Sequence, residues 1–217
     1  MRAHLRGAPD GPVPVLHRGR HAVYVAVGGR CVGVVGTDAT AVPCALRLRT
    51  SDLAEIRGNR AYLRGGVLHL DGVPLGIGRI VDVRVPPLKD TAGSVTAQAI
   101  PPAAVIEFVG RGDGLTPLGD DILCGWLAVH RAAGIDTPEI DAAVRSCLHR
   151  TTLLSATLLD CAIHGEVIPE FAAYVASLGT SAEPDRAATL AAVGHTSGSG
   201  MLYGARLALT ALQGVAA

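Results

Sequence analysis

Three stretches of the sequence bring glycines, small hydroxyls and titratable groups together. Residues 110–121 read GRGDGLTPLGDD. Thr116 followed by Pro117 is a helix-start signal: a capping hydroxyl, then a residue with no N–H to leave unsatisfied. Gly110, Gly112 and Gly114 allow the backbone ahead of that start to bend sharply and to approach a ligand closely. Gly119 falls in the first helical turn, where its poor helix propensity needs a reason, and close approach of a ligand is one. The free N–H groups and the dipole at such an end favour a small anion, phosphate or carboxylate. No Gly-Lys-Ser/Thr follows, so the segment is not a P-loop.

Asp120 and Asp121 admit two readings. Acidic side chains belong in a first turn simply to complement the dipole. Successive helical residues, however, point about 100° apart, so the two cannot share one surface role. One carboxylate can reach a ligand or a Mg²⁺ ion while the other binds the neighbouring loop. Asp121 shares a face with Gly125, which aims its carboxylate across a helix crossing toward the interior. Such an aspartate can act as general base or hold a divalent ion beside a phosphate.

The second stretch, residues 193–200, reads VGHTSGSG and precedes the last helix. Flexible glycines, the hydroxyls of Thr196 and Ser197, Gly198 and then a helix N-terminus repeat the same physics. His195 can donate to an oxyanion or shuttle a proton near neutral pH, or simply face solvent. A Ser-His nucleophile pair is open, but no G-x-S-x-G follows a strand. The third stretch, residues 151–166, reads TTLLSATLLDCAIHGE. Thr151 or Thr152 is its N-cap, Ser155 and Leu159 share a helix face, and Gly165 terminates the helix with His164 at its negative end. Caps and core account for most of this stretch.

The elements that must position these groups fall into two halves. Residues 1–88 read as an antiparallel β-rich region, a small barrel or sandwich. The β-branched runs 22–27 and 32–35 are separated by Gly28-Gly29-Arg30, which is hairpin chemistry. Runs at 41–48, 61–63, 67–70 and 80–85 follow, broken by Gly65-Gly66 and Asp71-Gly72. Strands this close cannot be joined by helical crossovers, so they are mainly antiparallel. Residues 51–56 suit one short helical turn. Pro86-Pro87 ends the strands. From Ser94 the period becomes helical, and residues 93–217 form an α-helical domain, so the class is α+β. Ile122, Leu123, Trp126, Leu127 and His130 form one stripe over 117–133. Helices follow at 151–163, 168–178 and 201–212, with alanines that permit close helix packing.

Composition narrows the function. A formal net charge of zero asks for no nucleic acid. No stretch approaches the length of a membrane span and no leader segment is evident, so a cytoplasmic protein is expected. Five cysteines, an odd count without a CxxC pair, suggest reduced and mostly buried thiols, and no metal-ligand set is assigned.

Taken in order, the three stretches resemble the AllH family. Its members carry a GLTP-x-GDD loop, here residues 114–121. A T-x-x-S-A-x-x-L helix follows, here residues 152–159, ending near a Gly-Glu pair at Gly165 and Glu166. A GHTSG loop, here residues 194–198, precedes a final helix. Leu118 stands where the family usually has serine, Cys124 where a small residue is usual, and Ser199 where an acidic residue is common. The resemblance implies a subunit of an oxamate carbamoyltransferase. That enzyme works between oxalurate plus phosphate and oxamate plus carbamoyl phosphate, together with larger acyl-CoA-synthetase-like subunits. Candidate catalytic groups are Asp120, Asp121 and His195. Candidate ligand-binding residues are Gly112, Gly114, Thr116, Gly119, Thr152, Ser155, Thr196, Ser197 and Gly198. A different small-molecule enzyme on the same scaffold and a non-catalytic partner subunit are the competing readings. Mg²⁺ and homo-oligomerisation are left open.

Overall fold

A computed structural model describes residues 1–51, 53, 60–88 and 100–213. The chain divides into two compact units, Met1–Asp82 and Val83–Ala217.

The first unit opens with a short helix, α1 (Arg2–Gly7), followed by β1 (Gly11–Val13), β2 (Val15–Arg18), β3 (Ala22–Val27), β4 (Arg30–Val35), β5 (Ala45–Arg47), β6 (Ala61–Arg64), β7 (Val67–Leu70) and β8 (Val73–Pro74). They form two four-stranded sheets, ordered β1-β6-β7-β8 and β2-β3-β4-β5. Val23, Val25, Val32 and Val34 of one sheet and Ala61, Leu63, Leu68 and Leu70 of the other share a single apolar core. The arrangement is that of a sandwich, and the described strands do not close into a barrel. The expected hairpin forms at Gly28-Gly29, and the break read at Gly65-Gly66 is a second one; all four glycines have positive φ.

Several expectations are corrected. The 41–48 run contributes only β5, and it pairs in parallel with β4. The chain reaches it through turns at 37–44 rather than through a hairpin, so strand direction is not reversed. Residues 80–85 make no sheet strand. Arg84 instead forms an isolated antiparallel bridge to Glu166. Val85 N–H donates to the Gly165 carbonyl at 2.7 Å, and Val167 N–H to that of Val83 at 2.8 Å. The short strands β1, β2 and β8 were not foreseen. The suggested turn at 51–56 and the helical onset at Ser94 fall largely or wholly outside the described residues.

The second unit is helical: α2 (Val105–Phe108), α3 (Leu118–Ala132), α4 (Pro138–Cys147), α5 (Leu153–Ile163), α6 (Pro169–Ser177), α7 (Glu183–Ala191) and α8 (Ser197–Gln213). Helix α3 is the buried axis, and its Leu123, Trp126, Leu127 and His130 stripe is wholly interior. Helix α8 lies along it at backbone contact. A Cβ on Gly125 would collide with the Met201 carbonyl, and one on Gly204 with the Ile122 carbonyl. Arg131, at the end of α3, ties three elements together. It donates to the Ile163 and Ile135 carbonyls, each at 2.7 Å, and to both Asp141 oxygens at 2.7 and 2.6 Å. Helices α4 and α7 were not foreseen, and α8 begins earlier than the 201–212 period suggests. Among the described residues no helix is long and apolar enough to cross a membrane.

Candidate functional site

The start of α3 is where the three glycine and hydroxyl stretches meet. Asp120 and Asp121, adjacent in its first turn, are both buried yet have opposite surroundings. Asp120 is fully enclosed. Its Oδ1 accepts the Gly110 N–H at 2.8 Å. Its Oδ2 accepts the Ser155 hydroxyl at 2.6 Å and also the Thr151 hydroxyl. One carboxylate therefore fastens the 110 loop and the start of α5 to α3. Both of its oxygens are taken by N–H and O–H donors, so it does not converge with Asp121 on a common cation.

Asp121 has the other fate. It is 5 % exposed, and its Oδ2 is buried with no hydrogen-bond partner among the described residues. Burial pushes its carboxyl up to about 7, and the negative charge of Asp120 adds to the shift. Hydrogen bonding from the Ser197 and Thr116 hydroxyls opposes it. Those hydroxyls lie 2.8 Å from each other. A Cβ on Gly200 would meet the Asp121 Cβ at 2.9 Å, so the first turn of α8 sits directly against this carboxyl. The arrangement is a protonatable carboxyl between two helix N-termini, an environment that favours a small anion beside a proton donor.

Thr152 joins the third stretch to the first. Its Oγ1 caps α5 by accepting the Ser155 N–H at 3.0 Å and donates to the Leu115 carbonyl at 2.5 Å. The cap and the positive-φ terminator Gly165 match the sequence reading. Thr116 does not cap α3, however. The N-cap position is Pro117, without a side-chain bond, and the Thr116 hydroxyl is turned toward Ser197. Gly119 also has a different reason from the one expected. A Cβ there would run into the Phe108 carbonyl, so the close approach is made by the chain itself.

Around this core, Gly112 and Gly114 are exposed, with φ of +118° and +90°. Thr196 is exposed, and its carbonyl accepts the Gly200 N–H that opens α8. Gly198 is buried, its Cα too close to the Leu190 carbonyl to carry a side chain. His195 is exposed and takes no part in the hydrogen bonds that join the other loop residues. The hydroxyl of Thr151 was considered only as a cap. Its place on Asp120 is legible, at most, in the doubled threonine. Gly110, whose N–H anchors the loop, was read only as a bend. Among the described residues no group of three or more His, Cys, Asp or Glu is placed to hold a metal. None of the five cysteines forms a disulfide.

The fold and site thus define a helical unit in which three hydroxyl-rich segments close on an adjacent pair of buried aspartates. Residues 108–209 match the family model described as oxamate carbamoyltransferase subunit AllH, so this part of the chain is similar to that family. No curated protein and no solved structure matches the chain.

Proposed function

We propose that the helical unit handles a small carboxylate, carbamoyl or phosphate metabolite at the meeting of the α3 and α8 N-termini, as one subunit of a multi-subunit carbamoyltransferase. The supporting observation is the buried carboxyl of Asp121, which lies beside the paired hydroxyls of Thr116 and Ser197 and keeps one oxygen, Oδ2, without a partner among the described residues. In its neutral form this carboxyl carries one O–H donor and one acceptor, the complement of a primary amide. Carbamoyl groups present that pattern, and the neighbouring helix N-termini suit the carboxylate or phosphate attached to them.

The chemistry follows. In the direction that consumes oxalurate, a phosphate oxygen attacks the carbamoyl carbon and the bond to the oxamate nitrogen breaks. That nitrogen leaves with the bonding pair and needs a proton, which Asp121 supplies. In reverse, Asp121 removes a proton from the oxamate amide as its nitrogen attacks carbamoyl phosphate. A group titrating near neutrality serves both directions. Asp120 is a positioning residue in this reading, and Ser155 and Thr152 act with it by shaping the loop. His195, beside the α8 start, is the candidate oxyanion donor, and Gly112, Gly114, Gly119, Thr196 and Gly198 shape the backbone around the anion. Reduced thiols suit a cytoplasmic setting. The test is carbamoyl transfer from carbamoyl phosphate to oxamate by the chain with its partner subunits. Asp121→Asn should abolish turnover while the protein still folds.

A further inference from the structure

A second site lies wholly in the first unit. A cleft of about 890 Å³ opens on the outward face of the β1-β6-β7-β8 sheet. Strand β6 alternates strictly, with Ala61 and Leu63 in the core and Tyr62 and Arg64 facing out. Register places Pro12 and His69 on either side of Tyr62, so three rings form a row across β1, β6 and β7. Arg60, which precedes β6, and Arg64 flank that row along the strand, about 6.7 Å on either side of Tyr62. All five residues line the cleft.

The charges around the row are unequal. Neither guanidinium makes an ion pair or side-chain hydrogen bond among the described residues. Asp10, the one acidic residue among the described residues of the lining, is committed through Oδ1 to the Gly65 N–H at 2.7 Å. The cleft therefore presents a ring platform, 45 % exposed at Tyr62, between two cations without an ion-pair partner among the described residues. A flat aromatic ligand carrying phosphate groups satisfies both features: the ring stacks, and each guanidinium takes phosphate oxygens. The chain's zero net charge argues against a long polyanion, whose binding relies on many phosphate contacts.

We infer that this cleft binds a nucleoside diphosphate or triphosphate, its base over Tyr62 and His69 and its phosphates on Arg60 and Arg64. The site uses none of the residues around Asp121, so it stands or falls independently of the carbamoyl-transfer reading. The probe is ADP, titrated calorimetrically into the full chain, with adenosine alone, pyrophosphate alone and a short single-stranded oligonucleotide as separate arms. Saturable ADP binding, at least ~10-fold tighter than either fragment, is expected. The Arg60→Ala/Arg64→Ala double variant should lose at least ~10-fold in affinity. Tyr62→Phe, which keeps the platform and the fold, should bind as the parent does, and Tyr62→Ala should not. Asp121→Asn should leave ADP binding unchanged. Absence of saturable binding, binding that survives the double arginine variant, or preference for the oligonucleotide would overturn the proposal.

Discussion

The hydroxyls of Thr116 and Ser197 stand 2.8 Å apart although the residues are 81 positions apart in the chain. That contact brings the α3 and α8 starts together and closes the hydroxyl pair over Asp121. Gly125 and Gly204 make it reachable, because without side chains they let the two helix backbones touch.

The close crossing is testable by itself. Gly125→Ala or Gly204→Ala places a methyl against a carbonyl oxygen. Alanine favours a helix interior by about 1 kcal/mol over glycine, but overpacking here should outweigh that and destabilise the unit by a net 1–3 kcal/mol, roughly. Urea unfolding followed by fluorescence of Trp126, the only tryptophan, reads the effect within α3. Unchanged or raised stability would mean that the helices separate freely.

Asp120 should behave as a structural carboxylate. Asp120→Ala leaves the Gly110 N–H and the Thr151 and Ser155 hydroxyls without their acceptor. A loss of about 2–4 kcal/mol is expected in the same urea assay. A loss below about 0.5 kcal/mol would show that water replaces the carboxylate without consequence.

How much of this was legible in the sequence depends on whether the deciding interaction is local. The Gly28-Gly29 hairpin, the strand break at Gly65-Gly66 and the Thr152 cap are written in neighbouring residues, and they form as read. The parallel β4-β5 pairing depends on where the chain returns, which no local pattern encodes. Glycine's tolerance of close approach does not name the neighbour. Gly119 was read toward a ligand and meets Phe108. The helical angle between Asp120 and Asp121 does predict different roles. Only the packing of the 110 loop and α5 assigns the first to the protein scaffold.

Stability should depend on pH through Asp121. Its folded-state value, about 7, lies above the ordinary 3.8, so the folded protein holds this proton more tightly than the unfolded chain. The contribution is fully present below about pH 4 and is lost as pH rises to about 7, by up to ~4 kcal/mol. Other carboxylates superimpose their own slopes, so the measurement is the difference from Asp121→Asn. That variant should gain relative stability steadily across the window. A constant difference would show that Asp121 titrates normally.

His195→Ala tests the exposed loop. If the imidazole stabilises an oxyanion during transfer, its loss costs on the order of 10²–10³ in rate without a change in melting temperature. A rate within a few-fold of the parent would place His195 outside the reaction centre.

The most direct measurement is turnover of carbamoyl phosphate with oxamate by the chain combined with the proposed partner subunits, comparing the parent chain with Asp121→Asn and checking both by thermal melting. The account predicts a rate lower by roughly 10²-fold or more in the variant, with a melting temperature at pH 7–8 equal to or above the parent's, because a buried carboxyl with one oxygen unpartnered among the described residues has been replaced by a neutral amide. A folded variant with full activity would contradict it.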